Sequence, residues 1–340
     1  MINLNRKIYF VGAIGNPYSS ALLGGQKVTI EHAQILRKYG VKTYVVTMMG
    51  RLETFFVSKK NADDLFISEK QFRQMINVET DVVVIPGRYL PTIDNFPGNN
   101  KVLFSQGAYI TIGAFPVTPQ AIEIWNNPSL KGVFCVSDGN AEIFKEIVKD
   151  IPVIVIPNHV ENDYCTANND FDFSQKSKSI VFPALERFEK NPLDTKVVLN
   201  LIASKIQSIA SDIYKKLKFI ELKGFSHKQI HEIFEEASLM LFLGNNEGMP
   251  LTVLESMCHG VITLGFNRAP LSEFLHSKCL FEIGQLNDMA NTAASVLIDE
   301  ERWSDVRRWV NLKSQEYDQN RHSQALLTAW EIIEDKINKH

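Results

Sequence analysis

The chain has 340 residues, 45% hydrophobic and 22% charged, the balance of an ordinary globular protein with room for about two domains. A net charge of −3 supplies no global basic field, which argues against nucleic acid as a partner. No apolar run approaches the ~18 residues of a membrane span. Ile8 to Ile14 continues into Gly15-Asn16-Pro17 without a small-residue cleavage pattern, so it reads as a first strand rather than a signal peptide, and a cytoplasmic location is expected.

In chain order, Ile8–Val11 is a strand, and a Gly-, Pro- and Ser-bearing loop leads to Gly24-Gly25. Ile30, Ala33 and Leu36 mark a helix closed by Gly40, and a second strand covers 42–48. A strand at 53–57, a helix at 69–76 and a strand at 81–85 ended by Pro86-Gly87 follow. Three more buried-strand patterns lie at 101–105, 132–136 and 153–156, with helices near 119–125 and 140–149. Residues 161–178 are polar and aperiodic, as a connector is. The pattern then restarts with strands at 180–185, 219–222, 239–243, 261–264 and 279–283. Helices at 195–209, 230–237, 251–258, 286–298, 302–317 and 323–337 alternate with or follow them. Such alternation with few hairpin signals predicts an α/β fold of two Rossmann-like domains facing across a cleft. The expected boundaries are 1–160, a connector at 161–178, a second domain at 179–322, and a final helix at 323–340 packing back on the first.

The most informative stretch is Leu239 to Glu255: a buried strand, a turn at Gly244-Asn245-Asn246, then a helix with Pro250 in its first turn and a stop at Gly260. A helix start offers unpaired N–H groups and a partial positive charge, an anion site. Glu247 and Glu255 bracket it, and sugar hydroxyls are the natural partners for carboxylates placed beside an anion. The four cysteines (Cys135, Cys165, Cys258, Cys279) form no C-x-x-C pair, so reduced thiols are expected over disulfides or zinc ligands.

Glu247-Gly-Met-Pro-Leu-Thr-Val-Leu-Glu255, ending in Met-Cys-His-Gly260, resembles the E-x7-E signature of retaining glycosyltransferases with the GT-B fold, of the family-four type. Further pieces follow in the family's order. Gly24-Gly25 with its helix is similar to the first-domain G-G segment, and Val136-Ser137-Asp138 to V-S-E. Pro157-Asn158-His159-Val160-Glu161 resembles P-N-G-V-D, and Phe182 to Pro192 resembles the G-R-L-x-x-x-K-N-P segment. The resemblance covers residues 12 to about 274. It implies that Glu247 holds the donor sugar and Glu255 the ribose. The donor diphosphate would fall to Lys190, Arg187 and the backbone of Gly248, Met249, Pro250 and Leu251, and Gly24 and Gly25 would let backbone approach the donor phosphates or the acceptor. The family's Arg aligns with Ala184, with Arg187 as its expected replacement; a family His is replaced by Gln106, which hydrogen-bonds but does not titrate.

Phe225 is a candidate for the nucleobase or for the core, and Arg88, Gln106 and Tyr109 for the acceptor side. Arg268 is open between a phosphate or acceptor contact and a surface loop. Asp170-Phe-Asp172 spells D-x-D but falls in the connector, where coincidence is the better reading. His227 and His231, four apart, lack a third ligand and read as a solvated helix face rather than zinc. His259 reads as a cation neutralising a helix C-terminus. The implied activity is metal-independent retaining transfer from a nucleotide-diphosphate sugar to a saccharide or lipid-linked acceptor in surface glycan synthesis. The donor is a substrate, with no cofactor and no metal, and peripheral contact with the inner face of the membrane is admitted. The alternatives are a non-catalytic module binding a sugar nucleotide or a partner, and a hydrolysing sugar-nucleotide 2-epimerase.

Overall fold

The computed structural model describes residues 6–12, 24–48, 64–115, 118–161, 176–245 and 247–339. The chain divides into two compact units, Met1–Asn158 with His322–His340, and His159–Arg321.

In the first unit β1 (Ile8–Val11), β2 (Thr43–Thr47), β3 (Phe66–Ser68), β4 (Val82–Pro86), β5 (Asn100–Ser105), β6 (Leu130–Cys135) and β7 (Val153–Val155) form one parallel sheet. Its strand order is β3-β2-β1-β4-β5-β6-β7. β1, β4 and β5 are buried along their whole length, bar the last residue of β4; β1 and β4 are continuous apolar runs, as strands covered on both faces are, while β5 also buries Asn100, Lys101 and Ser105. The order reverses between β1 and β4, where ligands of open α/β sheets collect beyond the strand ends. The last helix, Gln319–Asn338, belongs to this unit from His322 onward. Its Trp330, fully buried, packs edge-on against Phe10 of β1 and Phe134 of β6, with ring centroids 6.4 and 5.4 Å away.

The second unit carries β8 (Ser179–Pro183), β9 (Lys218–Leu222), β10 (Leu239–Phe242), β11 (Ile262–Phe266) and β12 (Leu280–Phe281), also parallel. Its order, β12-β11-β10-β8-β9, reverses between β8 and β10. Buried Arg307, on the Ser304–Ser314 helix, donates to the carbonyls of Ser238 and Gly260, fixing the entrances to β10 and β11.

Several elements depart from the periodicity. β3 is only three residues long, too short for alternation to register against its polar surroundings. The helix Ala108–Gly113 has a Gly107 N-cap that makes no side-chain bond, and β-branched Ile110, Thr111 and Ile112, so its composition argues against a helix. Pro250 is the N-cap of Leu251–Cys258 rather than its first helical residue, while Gly260 (φ +63°) ends that helix as expected. The strand expected at 53–57, Cys165 and the Asp170-Phe-Asp172 motif lie outside the described residues, as does most of the expected connector.

Candidate active site

In the second unit the site grows from the two strands flanking the reversal. After β8 the chain turns, Arg187 N–H donating to the Ala184 carbonyl, and a short 3-10 turn, Phe188–Lys190, follows. Asn191 then takes a left-handed conformation (φ 53°), which asparagine tolerates, and launches the Pro192–Ile209 helix. After β10 the chain passes Gly244 and Asn245 to Glu247. The two loops are stitched together by the Asn245 N–H donating to the Glu189 carbonyl at 3.0 Å.

This brings Lys190 and Glu247, far apart in sequence, into an ion pair whose side chains are mostly shielded, 11% and 20% exposed. Lys190 Nζ also stands 4.9 Å from the centroid of the Phe242 ring, at the end of β10. A Cβ on Gly244 would come within 3.1 Å of that ring and 3.4 Å of Glu247 Cγ, so a side chain there would press on the ring by a few tenths of an ångström. Arg187 turns to Glu189, its Nε donating at 2.7 Å in a half-exposed pair. Burial would raise the Glu189 carboxyl, but its own backbone N–H and Arg187 hold it below the usual range. Arg268, after β11, donates to both the carbonyl and the side-chain oxygen of Asn245, the latter at 2.9 Å, so it braces the same loop.

Gly248, Met249 and Pro250 are buried and lead into the Leu251–Cys258 helix, whose N-cap makes no side-chain bond. The first-turn N–H groups therefore meet no capping side chain, the arrangement an anion uses. Glu255, one turn on, is 8% exposed and faces His227 Nε2 at 3.0 Å. Phe225 is 40% exposed and two residues before His227, so it is not a core residue. Sequence reasoning named His227 only as part of a solvated helix face and missed its pairing with Glu255, because the two come from different helices.

His231 is 2% exposed, which corrects the solvated-face expectation: its Nδ1 meets His259 Nε2 at 2.8 Å in the interior. His259 caps its helix, but burial, aided by His231 and Lys176, pushes it down to about 3. A neutral imidazole cannot oppose the helix dipole with charge, so that expectation is corrected too. Lys176 donates to the Phe234 and His259 carbonyls, both at 2.8 Å. Burial, with Arg307 nearby, lowers it to about 7. An unfolded lysine stays protonated to about 10.4. Between the two values the unfolded chain binds more protons, so stability rises with pH from about 7 to 10 through this group. Denaturation midpoints of the wild type and Lys176→Met at pH 7 and 9 are expected to show the wild type gaining on the variant. Cys135 and Cys279 are buried and free, but Cys258 is disulfide-bonded, which corrects the expectation of a reduced thiol there; sequence spacing carries no information on that proximity.

In the first unit the strand ends around the other reversal carry the remaining candidates. Gly24 and Gly25 open the Gly24–Lys38 helix after β1, Arg88 follows β4, and Gln106 and Tyr109 follow β5. Gln106 Nε2 donates to the Gly25 carbonyl at 2.7 Å. A Cβ on Gly25 would fall 1.8 Å from Gln106 Oε1, so the glycine is what admits the glutamine. The Gly87–Asn95 turn and the Ala108–Gly113 helix are locked together: a Cβ on Gly87 would meet Thr111 Oγ1 at 2.0 Å, and Thr111 Oγ1 pairs with Ser105 Oγ at 2.9 Å. Asn140 Oδ1 accepts from Ala108 N–H at 2.6 Å, tying in the helix after β6. Arg88 and Tyr109 are exposed on this frame.

Sucrose-phosphate synthase of Thermosynechococcus elongatus superposes with a TM-score of 0.68 at 11% identity, over 96% of this chain and 98% of that one. HepE of Anabaena, in complex with UDP and glucose, gives 0.69 at 12% identity over 96% and 99%. The fold is GT-B. The pneumococcal O-GlcNAc transferase GtfA, in complex with UDP and GlcNAc, shares the GT-B architecture with a TM-score of 0.62 at 12% identity over 97% and 99%. No protein-family model and no curated protein sequence matches the chain. In this GT-B chain no helix among the described residues is long and apolar enough to cross a membrane.

Proposed function

We propose that the chain is a glycosyltransferase that moves a sugar, with retention and without a catalytic metal, from a nucleotide-diphosphate donor to a saccharide or lipid-linked acceptor in surface glycan synthesis. The observation that carries this reading is the Lys190–Glu247 pair at the β8/β10 reversal. It unites the two motifs that sequence resemblance assigned to phosphate and sugar. The GT-B neighbours solved with UDP and a sugar support the same class of donor.

In this reading the reacting carbon passes through an oxocarbenium-like state and the nucleoside diphosphate departs with negative charge. Lys190, Arg187 and the N–H groups at the start of the Leu251–Cys258 helix would meet that charge. Glu247 would hold the sugar hydroxyls and Glu255 the ribose, with Phe225 against the base. The backbone of Gly24 and Gly25 would approach the donor phosphates or acceptor, and Arg88, Gln106 and Tyr109 would receive the acceptor. Peripheral contact with the inner face of a membrane belongs to this reading as the place where a lipid-linked acceptor would be met.

The test is incubation with a panel of nucleotide sugars and simple acceptors, reading nucleoside diphosphate release; no release with any pair sinks the proposal. Gly25→Ala is expected to displace Gln106 and raise the acceptor KM several-fold. A second reading, a non-catalytic sugar-nucleotide module, is favoured by Ala184 at the family's Arg position and by the Gln106 carboxamide being engaged with Gly25. Calorimetric binding of a nucleotide sugar without turnover would select it.

A further inference from the structure

Three ligand-type atoms converge beside the Leu251–Cys258 helix. His227 Nε2 is 3.0 Å from Glu255 Oε1 and 3.3 Å from His231 Nε2. His227, His231 and Glu255 can each offer one atom such that all three lie within 4.8 Å of one another. The two histidines are one turn apart on the His227–Glu236 helix, and the carboxylate comes from the neighbouring helix. A hydrogen-bonded cluster of neutral rings handles this poorly. Nε2 of a neutral imidazole carries either one N–H or one lone pair, so His227 Nε2 cannot serve the carboxylate and the second ring equally well.

We propose that His227, His231 and Glu255 form a binding site for a divalent transition ion of the zinc class. Zinc bonds to imidazole nitrogen and carboxylate oxygen run at about 2.0–2.2 Å, which sets tetrahedral ligand separations of roughly 3.3 Å. The observed 3.0 and 3.3 Å match that spacing on the two edges through His227 Nε2, and the third edge, from His231 to Glu255, lies within 4.8 Å. The outer shell is also in place. His231 meets His259 through Nδ1, leaving Nε2 for the ion, and the His259 carbonyl is gripped by Lys176. Such partners orient metal-binding imidazoles. Two nitrogens and one oxygen suit zinc rather than magnesium or calcium, which take oxygen ligands. Three protein ligands leave a fourth position, and the 30% exposure of the His227 side chain gives solvent access to it. The site shares Glu255 with the proposed ribose contact. On the glycosyltransferase reading, and only on it, zinc therefore competes with the nucleotide sugar.

Untagged, chelator-treated full-length protein titrated with Zn²⁺ in a calorimeter, without nucleotide, tests the site by itself. One ion per chain is expected. His227→Gln and His231→Gln should each weaken binding at least 100-fold, and His259→Gln about 10- to 100-fold. Circular dichroism and thermal melts check that the variants fold. X-ray absorption should show only nitrogen and oxygen neighbours near 2.0–2.1 Å. Absence of binding, a sulfur shell, or unchanged affinity in a folded His227→Gln/His231→Gln double variant overturns the proposal. A rise in donor KM with zinc is then measured separately, so the site and the glycosyltransferase reading stand or fall independently.

Discussion

Lys190→Ala is expected to lower kcat by about 100- to 1,000-fold, the scale for removing one fixed donor from a site where anionic charge develops. Its shielding beside Glu247 and over the Phe242 ring is what makes it a fixed donor rather than a waving side chain. Arg187→Ala is expected to cost about tenfold, the effect of one charge-assisted hydrogen bond of roughly 1.5 kcal/mol. The Arg187–Glu189 pair is half exposed, and such pairs contribute only ~0.2–1 kcal/mol, so a diphosphate can draw Arg187 away from it. Donor turnover measured for both variants decides the matter. A silent Arg187→Ala beside a dead Lys190→Ala would remove Arg187 from the phosphate site and leave the place of Ala184 unfilled. Arg268, already on Asn245, is then the next cation to test.

Trp330→Ala is expected to destabilise the first unit by about 3–5 kcal/mol, the usual cost of emptying a buried tryptophan site. The indole is fully buried between Phe10 and Phe134, so the cavity opens in the sheet's own core. Trp330→Phe is expected to cost far less. It keeps an aromatic ring and deletes an indole N–H that has no hydrogen-bond partner among the described residues. Urea unfolding followed by hydrogen exchange, which reports each unit separately, checks both. Equal losses for the two variants would mean that the contacts with Phe10 and Phe134 carry little.

Much of the fold could be read ahead of the structure because parallel strands buried on both faces leave unbroken apolar runs. Ile8–Val11, Val82–Pro86 and Leu239–Phe242 are each such a run. What escaped was structure held by distant partners. Ala108–Gly113 is helical because Asn140 and Ser105 hold it, not because its own residues favour a helix. The site divides the same way. Lys190, Glu247, Gly25 and Gln106 were visible as motif positions, but no spacing along the chain announces that Gln106 lies on Gly25. The same is true of Glu255 and His227, which come from two different helices. His231 looked like a surface group and His259 like a charged helix cap because four-residue spacing and a place before glycine say nothing about depth.

The placement of the Gln319–Asn338 helix has a consequence for biosynthesis. The second unit, His159–Arg321, is continuous in the chain, whereas the first needs residues from both ends. At about 5–20 residues per second, synthesis of the intervening segment takes on the order of 10–30 s. Through that interval the nascent β1 and β6 lack the Trp330 wedge that closes their core, while the later-made unit can already complete itself. The unit encoded first is thus the one finished last, and its apolar strands must be kept from wrong partners until the final helix leaves the ribosome.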